Sequence, residues 1–274
     1  MRTVGNVAYD TTAMLFDFLK GPELPITLHI THAKAGSTWV DALLRTLFGR
    51  SVRPRGYQMP SFDAVKERVF SVFMTREEFL SHPELATAKR FIILRDLRDT
   101  LISRYFSIRE THKPDPSGKI EAQRAELRAM SVEEGLARVM EDAGMAATAK
   151  IQRSWYGSGE IVLRYEDLLA DDVALFQKLF IDQLGLPVSA DKVERAVVEN
   201  RFEKKYKRKL GEEDSASHGR KGTPGDWKNH FTPRLAARFQ AKRDICFSYF
   251  SIGPTFKTVR GFPGNQSLDR KSVV

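Results

Sequence analysis

Residues suited to holding an anion lie together in the segment Lys34-Ala35-Gly36-Ser37-Thr38-Trp39. A lysine supplies a mobile positive charge, a glycine lets the backbone close around a phosphate, and two hydroxyls can donate hydrogen bonds. Trp39 adds a flat face on which a base can stack. The lysine stands before the glycine, whereas the phosphate loop of ATPases and kinases places it after. The segment therefore predicts a nucleotide-phosphate site that is not of the ATPase or kinase type.

A second group with phosphate-binding chemistry begins at Arg95, and Ser103 follows eight residues later. Arg95 ends an apolar run, and open α/β sheets bind ligands at the carboxyl ends of their strands. The spacing can bring Arg95 and Ser103 to one anion, so a second phosphate pocket beside the first is predicted. We expect Asp99 to cap the helix that follows and Arg98 to be a surface charge.

A third group, Arg220-Lys221-Gly222, places two cations on a Gly-rich loop ahead of Trp227. Backbone amides near a glycine, together with an arginine, make a clamp for phosphate. For Trp227 we prefer a packing role over a ligand contact. The loop is predicted to end at Thr232, which can cap a helix over 233–247 because proline occupies the first helical position.

Three strand-then-helix units position these groups along the chain: 26–30 with 39–48, 91–94 with 99–108, and 161–165 with 171–184. Strands that are almost continuously apolar are typical of a parallel sheet covered by helices on both faces. The sequence thus predicts a single α/β domain over 1–252, with a central parallel sheet flanked by helices and a phosphate-binding strand-loop-helix. A lid or insertion, made of a mobile loop and one charged helix, is expected at about 113–150, an active-site loop at about 211–229, and a flexible tail over 253–274.

The composition points to an anionic partner, because 44 Lys and Arg against 35 Asp and Glu give a formal net charge of +9. A single cysteine, Cys246, excludes an intrachain disulfide and a multi-thiolate metal site, and it suits a reducing compartment. The first twenty residues lack the order of a signal peptide, and no apolar stretch is long enough for a membrane span. We therefore expect a cytoplasmic protein without a membrane or metal partner.

In their order and positions, the three groups resemble the motifs of the sulfotransferases that use 3'-phosphoadenosine 5'-phosphosulfate (PAPS), in particular those of the cytosolic type. The resemblance covers residues from about 26 to 250, and Tyr165-Glu166-Asp167 also matches the family's Tyr-Glu-Asp after the third strand. It implies transfer of a sulfuryl group from PAPS to a hydroxyl or nitrogen of a small-molecule acceptor. The released product would be 3'-phosphoadenosine 5'-phosphate (PAP), and no metal would be needed.

The resemblance also implies roles for individual residues. The 5'-phosphosulfate would lie on Lys34, Gly36, Ser37 and Thr38, with Ala35 between them. The 3'-phosphate would be held by Arg95, Ser103, Arg220, Lys221 and Gly222. The adenine would contact Trp39, Tyr165 and Phe202. Lys34 is the predicted catalytic residue, because sulfuryl transfer depends on stabilising charge on the leaving oxygen.

The main departure from the family concerns the general base. The family has a histidine a little over twenty residues before the arginine of the second motif, but here that region reads Phe70-Ser71-Val72-Phe73-Met74-Thr75. The candidates that remain open are His82, His32, Asp41, Glu77 and Glu78. An acceptor nitrogen that needs little deprotonation would also explain the absence.

Other readings of the sequence stay open. A family member that binds the nucleotide but has lost or altered catalysis fits the missing histidine. A basic nucleic-acid-binding protein is suggested by the run Arg201 to Lys209, but it leaves the phosphate loops unexplained, so no nucleic acid is expected. A kinase-like protein would need the lysine after the glycine. A homodimer is compatible with the segment after Trp227, which can pack within one chain or across two.

Overall fold

The computed structural model of the protein describes residues 24–54 and 67–246, with side chains up to 242. A parallel sheet of four strands lies at its centre, in the order β2-β1-β3-β4. In chain order the strands are β1 (Thr27–Thr31), β2 (Val69–Val72), β3 (Lys89–Leu94) and β4 (Val162–Arg164). The parallel sheet predicted from the apolar runs is confirmed.

Eleven α-helices connect and surround the strands in the described part of the chain. They are α1 (Ser37–Phe48), α2 (Arg76–Leu80), α3 (Leu97–Phe106), α4 (Lys119–Ala129), α5 (Val132–Met140), α6 (Ala143–Trp155), α7 (Tyr165–Ala170), α8 (Asp172–Gln177), α9 (Ala190–Glu199), α10 (Phe202–Tyr206) and α11 (Pro233–Cys246). Helix α3 continues into a π-turn at Ser107–Thr111, and α8 into another at Lys178–Gln183.

Side chains of the sheet alternate between two apolar layers, because successive residues of a strand point to opposite faces. Phe91 and Ile93 of β3 pack with α1, α8 and α9 on one face. Ile92 and Leu94 pack with α2 and α6 on the other, where the buried Trp155 donates from Nε1 to the Met74 carbonyl at 2.7 Å. Both faces of the sheet are therefore covered by helices, as predicted.

A third apolar cluster lies beside the sheet rather than on it. It joins α3 and its π-turn to α4, α5 and the start of α11, with Tyr105 and Leu136 fully buried in it. This cluster makes most of 113–150 a packed unit of three helices, where the sequence suggested a lid and one helix. Residues 113–118 precede the first of these helices, and residues 130–131 and 141–142 connect the three. The predicted tail, 253–274, lies outside the described residues.

Helix α3 begins differently from the prediction. Its N-cap is Asp96, whose carboxylate accepts from the Arg98 N–H at 2.8 Å, so the expectation for Asp99 was wrong. Asp99 is 2% exposed and accepts instead from the backbone N–H groups of Gly225 and Trp227, at 2.6 and 3.0 Å. The carboxylate thus fastens the loop that carries the third motif to the helix of the second.

Candidate nucleotide site

The carboxyl ends of the strands open onto one cavity of about 1260 Å³. Because β1, β3 and β4 are parallel, the residues that follow them meet at this edge. The cavity is lined by Lys34, Gly36, Ser37, Thr38, Trp39, Arg95, Ser103, Tyr165, Phe202, Arg220, Lys221 and Gly222. These are the residues expected from the sequence, with the exception of Ala35, which is fully buried and is not among the lining residues. Motifs separated by almost two hundred residues thus face a single space.

The loop between β1 and α1 is shaped by two residues with positive φ. Lys34 has φ 69° and Gly36 has φ 79°, and α1 starts immediately afterwards at Ser37. A Cβ on Gly36 would lie 2.7 Å from the Tyr165 ring, so only glycine fits there. The N-cap of α1 is Gly36, and the first residues of the helix line the cavity, so the positive end of the helix dipole borders it. The local geometry is that of an anion site.

Lys34 stands in a strongly positive environment. Burial, followed by the charges of Arg95 and Arg104, lowers the pKa of Lys34 from 10.5 to about 8. The amine is still mostly protonated at neutral pH, but its positive charge is unfavourable until an anion arrives. The site is therefore electrostatically prepared for a negatively charged ligand.

Arg95 is held by contacts on three sides. Its Nη1 donates to the Lys34 carbonyl at 3.0 Å, and its guanidinium lies over the Tyr165 ring at 4.7 Å. Its backbone N–H donates to Nε2 of the buried His32 at 3.2 Å. Within the described residues its Nε is buried and has no hydrogen-bond partner. Since a buried donor without an acceptor is costly, this atom is suited to an oxygen of a bound ligand.

The cations of the third motif are already paired inside the protein. Arg220 Nη2 and Lys221 Nζ both donate to the buried carboxylate of Asp226, the latter at 2.6 Å, and Arg220 also reaches the exposed Glu213 at 2.5 Å. Burial favours the neutral acid at Asp226, but hydrogen bonds from His230, Lys221 and Arg220 outweigh it and hold the pKa of this carboxyl well below its usual range. The two cations are thus held in place by a charged partner that borders the same cavity.

Five phenylalanine, tyrosine and tryptophan rings line the same cavity, among them the three expected to contact the adenine. Trp39 meets Tyr165 edge-on with ring centroids 6.2 Å apart, and its Nε1 is buried without a partner among the described residues. Phe202 lies across the loop of the third motif, so close that a Cβ on Gly222 would be 2.7 Å from its ring. Flat rings above and beside a cluster of cations suit a nucleotide, in which an aromatic base is joined to phosphates.

Much of the basic run Arg201 to Lys209 is used within the protein. Arg201 makes a two-pronged ion pair with Asp172, with N–O distances of 2.9 and 2.7 Å. Arg208 donates to backbone carbonyls of the loop, including Gly219 at 2.7 Å. These contacts tie α10 to its surroundings, and they account for two of the charges that suggested nucleic-acid binding.

None of the five base candidates named from the sequence lines the cavity. His32 is fully buried, its Nδ1 is 2.9 Å from the Ala33 carbonyl, and its Nε2 accepts from Arg95; burial lowers its pKa to about 4. Its role is therefore to position Arg95.

The other four candidates have partners or positions outside the cavity. Glu78 closes a capping box with Thr75, and His82 pairs with Glu84. Asp41 pairs with Arg45, and Glu77 is exposed in the first turn of α2.

Two histidines that do line the cavity, His112 and His218, were not weighed from the sequence. The candidates named from the sequence precede Arg95, whereas His112 follows the π-turn of α3. Arg104 is a further lining residue that the sequence did not single out. Its Nε donates to Asp142 at 2.8 Å, and its guanidinium occupies the space that a side chain at Gly144 would need.

Residues 24–54 and 67–246 contain no cluster of three or more His, Cys, Asp or Glu side chains that could hold a metal ion. In the same ranges no helix has the length and apolar character needed to cross a bilayer.

Comparisons with known proteins agree with this geometry. The model of the sulfotransferase domain family matches residues 25–244. A flavonol 3-sulfotransferase of Flaveria bidentis is 25% identical over 254 residues, which cover 75% of this chain and 76% of that protein. The crystal structure of the mouse sulfotransferase SULT7A1 with PAP is similar in fold, with a TM-score of 0.60 and 16% identity over 84% of this chain and 86% of that one.

A second solved structure with this fold is retinol dehydratase in complex with androsterone and the inactive cofactor PAP. It has a TM-score of 0.50 and 15% identity over 85% of this chain and 84% of that one. The family match extends from residue 25, just before β1, into α11, and it includes the four strands of the described residues and the three motifs named from the sequence. This chain belongs to the sulfotransferase family, and it is an enzyme of the transferase class that transfers sulfuryl groups.

Proposed function

We propose that the chain transfers a sulfuryl group from PAPS to a hydroxyl or nitrogen of a small-molecule acceptor. The observation that carries the proposal is the convergence of Lys34, Arg95, Arg220 and Lys221 with three aromatic rings on one cavity. PAPS has two anionic ends and an adenine, and the cavity offers a cationic group for each end and flat surfaces for the base. The similar structures that contain PAP support the same donor.

In the proposed arrangement, each part of PAPS lies against the loop whose residues would bind it. The 5'-phosphosulfate lies on the N-terminus of α1, against Lys34 and the hydroxyl-bearing residues 37 and 38. The 3'-phosphate lies between Arg95, Ser103 and the Arg220-Lys221 pair. Lys34 donates a hydrogen bond to the oxygen that becomes a phosphate oxygen of PAP when the sulfuryl group leaves, which stabilises the charge developing there. The cations of the cavity would neutralise the nucleotide, so we propose that binding needs no metal.

The acceptor would occupy the part of the cavity beyond the phosphosulfate. Phe73, Ile102, Pro114 and Ile120 line the cavity and give it apolar surface. An apolar wall with a few polar groups suits a small organic molecule. A location in the cytoplasm and a homodimer stay predictions from the sequence.

The proposal is tested by isothermal titration calorimetry of the full chain with PAP, without magnesium and alongside ATP. We expect tight binding of PAP and much weaker binding of ATP, because ATP has no 3'-phosphate for Arg95. Lys34→Ala and Arg95→Ala should each weaken PAP binding by about tenfold to a hundredfold, as expected when a charge-assisted hydrogen bond is lost.

Lys228→Ala serves as a matched control, since Lys228 lies on the same loop as Lys221 but is exposed and does not line the cavity. It should bind PAP like the unmodified protein. No binding of PAP by the unmodified protein would overturn the proposal. PAP binding without any transfer from PAPS to a panel of phenols, alcohols and amines would favour the alternative of a family member with lost catalysis.

A further inference from the structure

His112 lines the same cavity as Lys34, on a segment that carries none of the motifs named from the sequence. It follows the π-turn Ser107–Thr111 that ends α3, and its backbone N–H donates to the Ser107 carbonyl at 2.6 Å. Arg124 of α4 donates to the backbone carbonyls of Ile108 and His112. These contacts fix the backbone of the residue, and its half-buried side chain lines the cavity together with Lys34.

Burial and the charges around His112 favour the neutral form of its ring. Burial comes first, and the positive charges of Lys34, Arg104 and Arg124 add to it; together they lower the pKa of His112 below 6.5, while Asp115 acts in the opposite direction. A base must be unprotonated to accept a proton, so a histidine with a lowered pKa is available at neutral pH. Lys34, the residue proposed to hold the leaving oxygen, lines the same cavity.

The hydrogen bonding of the ring leaves one nitrogen for chemistry. Nδ1 lies 3.4 Å from the Ser107 hydroxyl, whereas Nε2 makes no hydrogen bond within the described residues. When Nδ1–H donates to that hydroxyl, the basic lone pair is on Nε2. This is the division of roles found in catalytic histidines, in which one nitrogen is oriented and the other reacts.

We infer that His112 is the general base of sulfuryl transfer in this protein, supplied by the segment after α3 rather than by the segment before the second motif. The inference rests on the proposed function. Nε2 takes the proton of the acceptor hydroxyl while the acceptor oxygen forms a bond to the sulfur of PAPS. The bond from that sulfur to the bridging oxygen breaks, and its electron pair stays on the 5'-phosphate of PAP. The proton on Nε2 passes to solvent when the products leave.

The test compares two acceptors that differ in their need for a base. 4-Nitrophenol ionises near neutral pH, whereas phenol stays protonated, so a base accelerates transfer to phenol far more. In His112→Gln the kcat with phenol should fall by about a hundredfold, the usual contribution of a general base, while the kcat with 4-nitrophenol changes only a few-fold. The affinity for PAP, measured by calorimetry, should be unchanged. If neither phenol is an acceptor, the rate of PAPS hydrolysis, in which water is the acceptor, is compared between His112→Gln and the unmodified protein.

His82→Gln is the control, because His82 pairs with Glu84 and does not line the cavity. It should react like the unmodified protein. An equal loss with both phenols in His112→Gln, or an unchanged rate of PAPS hydrolysis where that is the measurement, would overturn the assignment. A loss selective for phenol in His218→Gln would transfer the role to His218. Failure of the unmodified protein to bind PAP would instead refute the proposed function, so the two results are distinguishable.

Discussion

The lowered pKa of Lys34 predicts that nucleotide binding depends on pH in a specific way. In the empty site the amine loses its proton at about pH 8, because burial and the charges of Arg95 and Arg104 disfavour the cation. A bound phosphate adds negative charge beside the amine and restores its proton. Binding above pH 8 must therefore be accompanied by uptake of a proton by Lys34, and the apparent affinity must fall as the proton becomes scarce.

The size of the effect follows from the pKa. With a value of about 8 in the empty site and a fully protonated amine in the complex, the dissociation constant for PAP should rise about tenfold between pH 7 and pH 9. Nearly one proton should be taken up per PAP bound at pH 9. The phosphates of PAP complete their own ionisation at lower pH, and this strengthens binding as the pH rises, so it cannot imitate the predicted loss.

Calorimetry with PAP at pH 7, 8 and 9, in pairs of buffers with different heats of ionisation, measures both the affinity and the proton uptake. Lys34→Arg keeps a positive charge at every pH and should bind PAP with an affinity that is nearly flat over this range. Lys34→Gln should bind weakly and also without this pH dependence. Affinity that is independent of pH in the unmodified protein, or a loss that persists in Lys34→Arg, would refute the reasoning.

Three further predictions concern stability, measured by chemical denaturation. Gly222→Ala should lower the free energy of unfolding by about 2–3 kcal/mol, because φ is positive there and the added Cβ would meet an aromatic ring. Gly225→Ala should lower it by only about 1 kcal/mol, because φ is also positive but the space around the added Cβ is open. Asp226→Asn should lower the free energy of unfolding by about 3 kcal/mol, because it leaves buried cations without their charged partner. Glu213→Gln, which changes an exposed partner of the same cations, should lower it by less than about 1 kcal/mol. The buried His32 protonates more readily when unfolded, so stability should fall by up to about 3 kcal/mol from pH 6.5 to pH 4, a slope that His32→Gln should reduce. Equal costs within either pair, or an acid slope that His32→Gln leaves unchanged, would contradict these expectations.

The sequence predicted those parts of the fold that depend on local pattern. The apolar runs at β1, β3 and β4 are short and bounded by polar loops, and each was found as a parallel strand followed by a helix. β2 was missed, because Val69–Val72 has only four residues and contains a serine. The helices within 113–150 have signals of their own, including the capping box of Ser131 with Glu134. That box was not used, so one helix was expected where there are three.

The site was predictable to the extent that its residues lie in motifs. Lys34, Arg95 and Arg220 were named from their loops, and all three line the cavity. Asp99 was misjudged because local propensity makes an aspartate near a helix start a cap, whereas its actual partners are backbone amides more than 120 residues further along the chain. His112 was missed because its placement, like that of the partners of Asp99, depends on tertiary structure. Its position in the cavity depends on how α3 and its π-turn run past the sheet, and no local pattern encodes that.

The ion pairs that Arg220 and Lys221 form with Asp226 affect how nucleotide binding depends on salt concentration. Solvent-exposed cations are surrounded by mobile counterions, and the release of these ions contributes favourably when a phosphate binds the cations. Here Asp226 takes the place of those mobile ions as a fixed internal counterion. A nucleotide phosphate that joins this pair therefore displaces few ions from solution. Nucleotide binding should vary less steeply with ionic strength than the formal net charge of +9 would suggest.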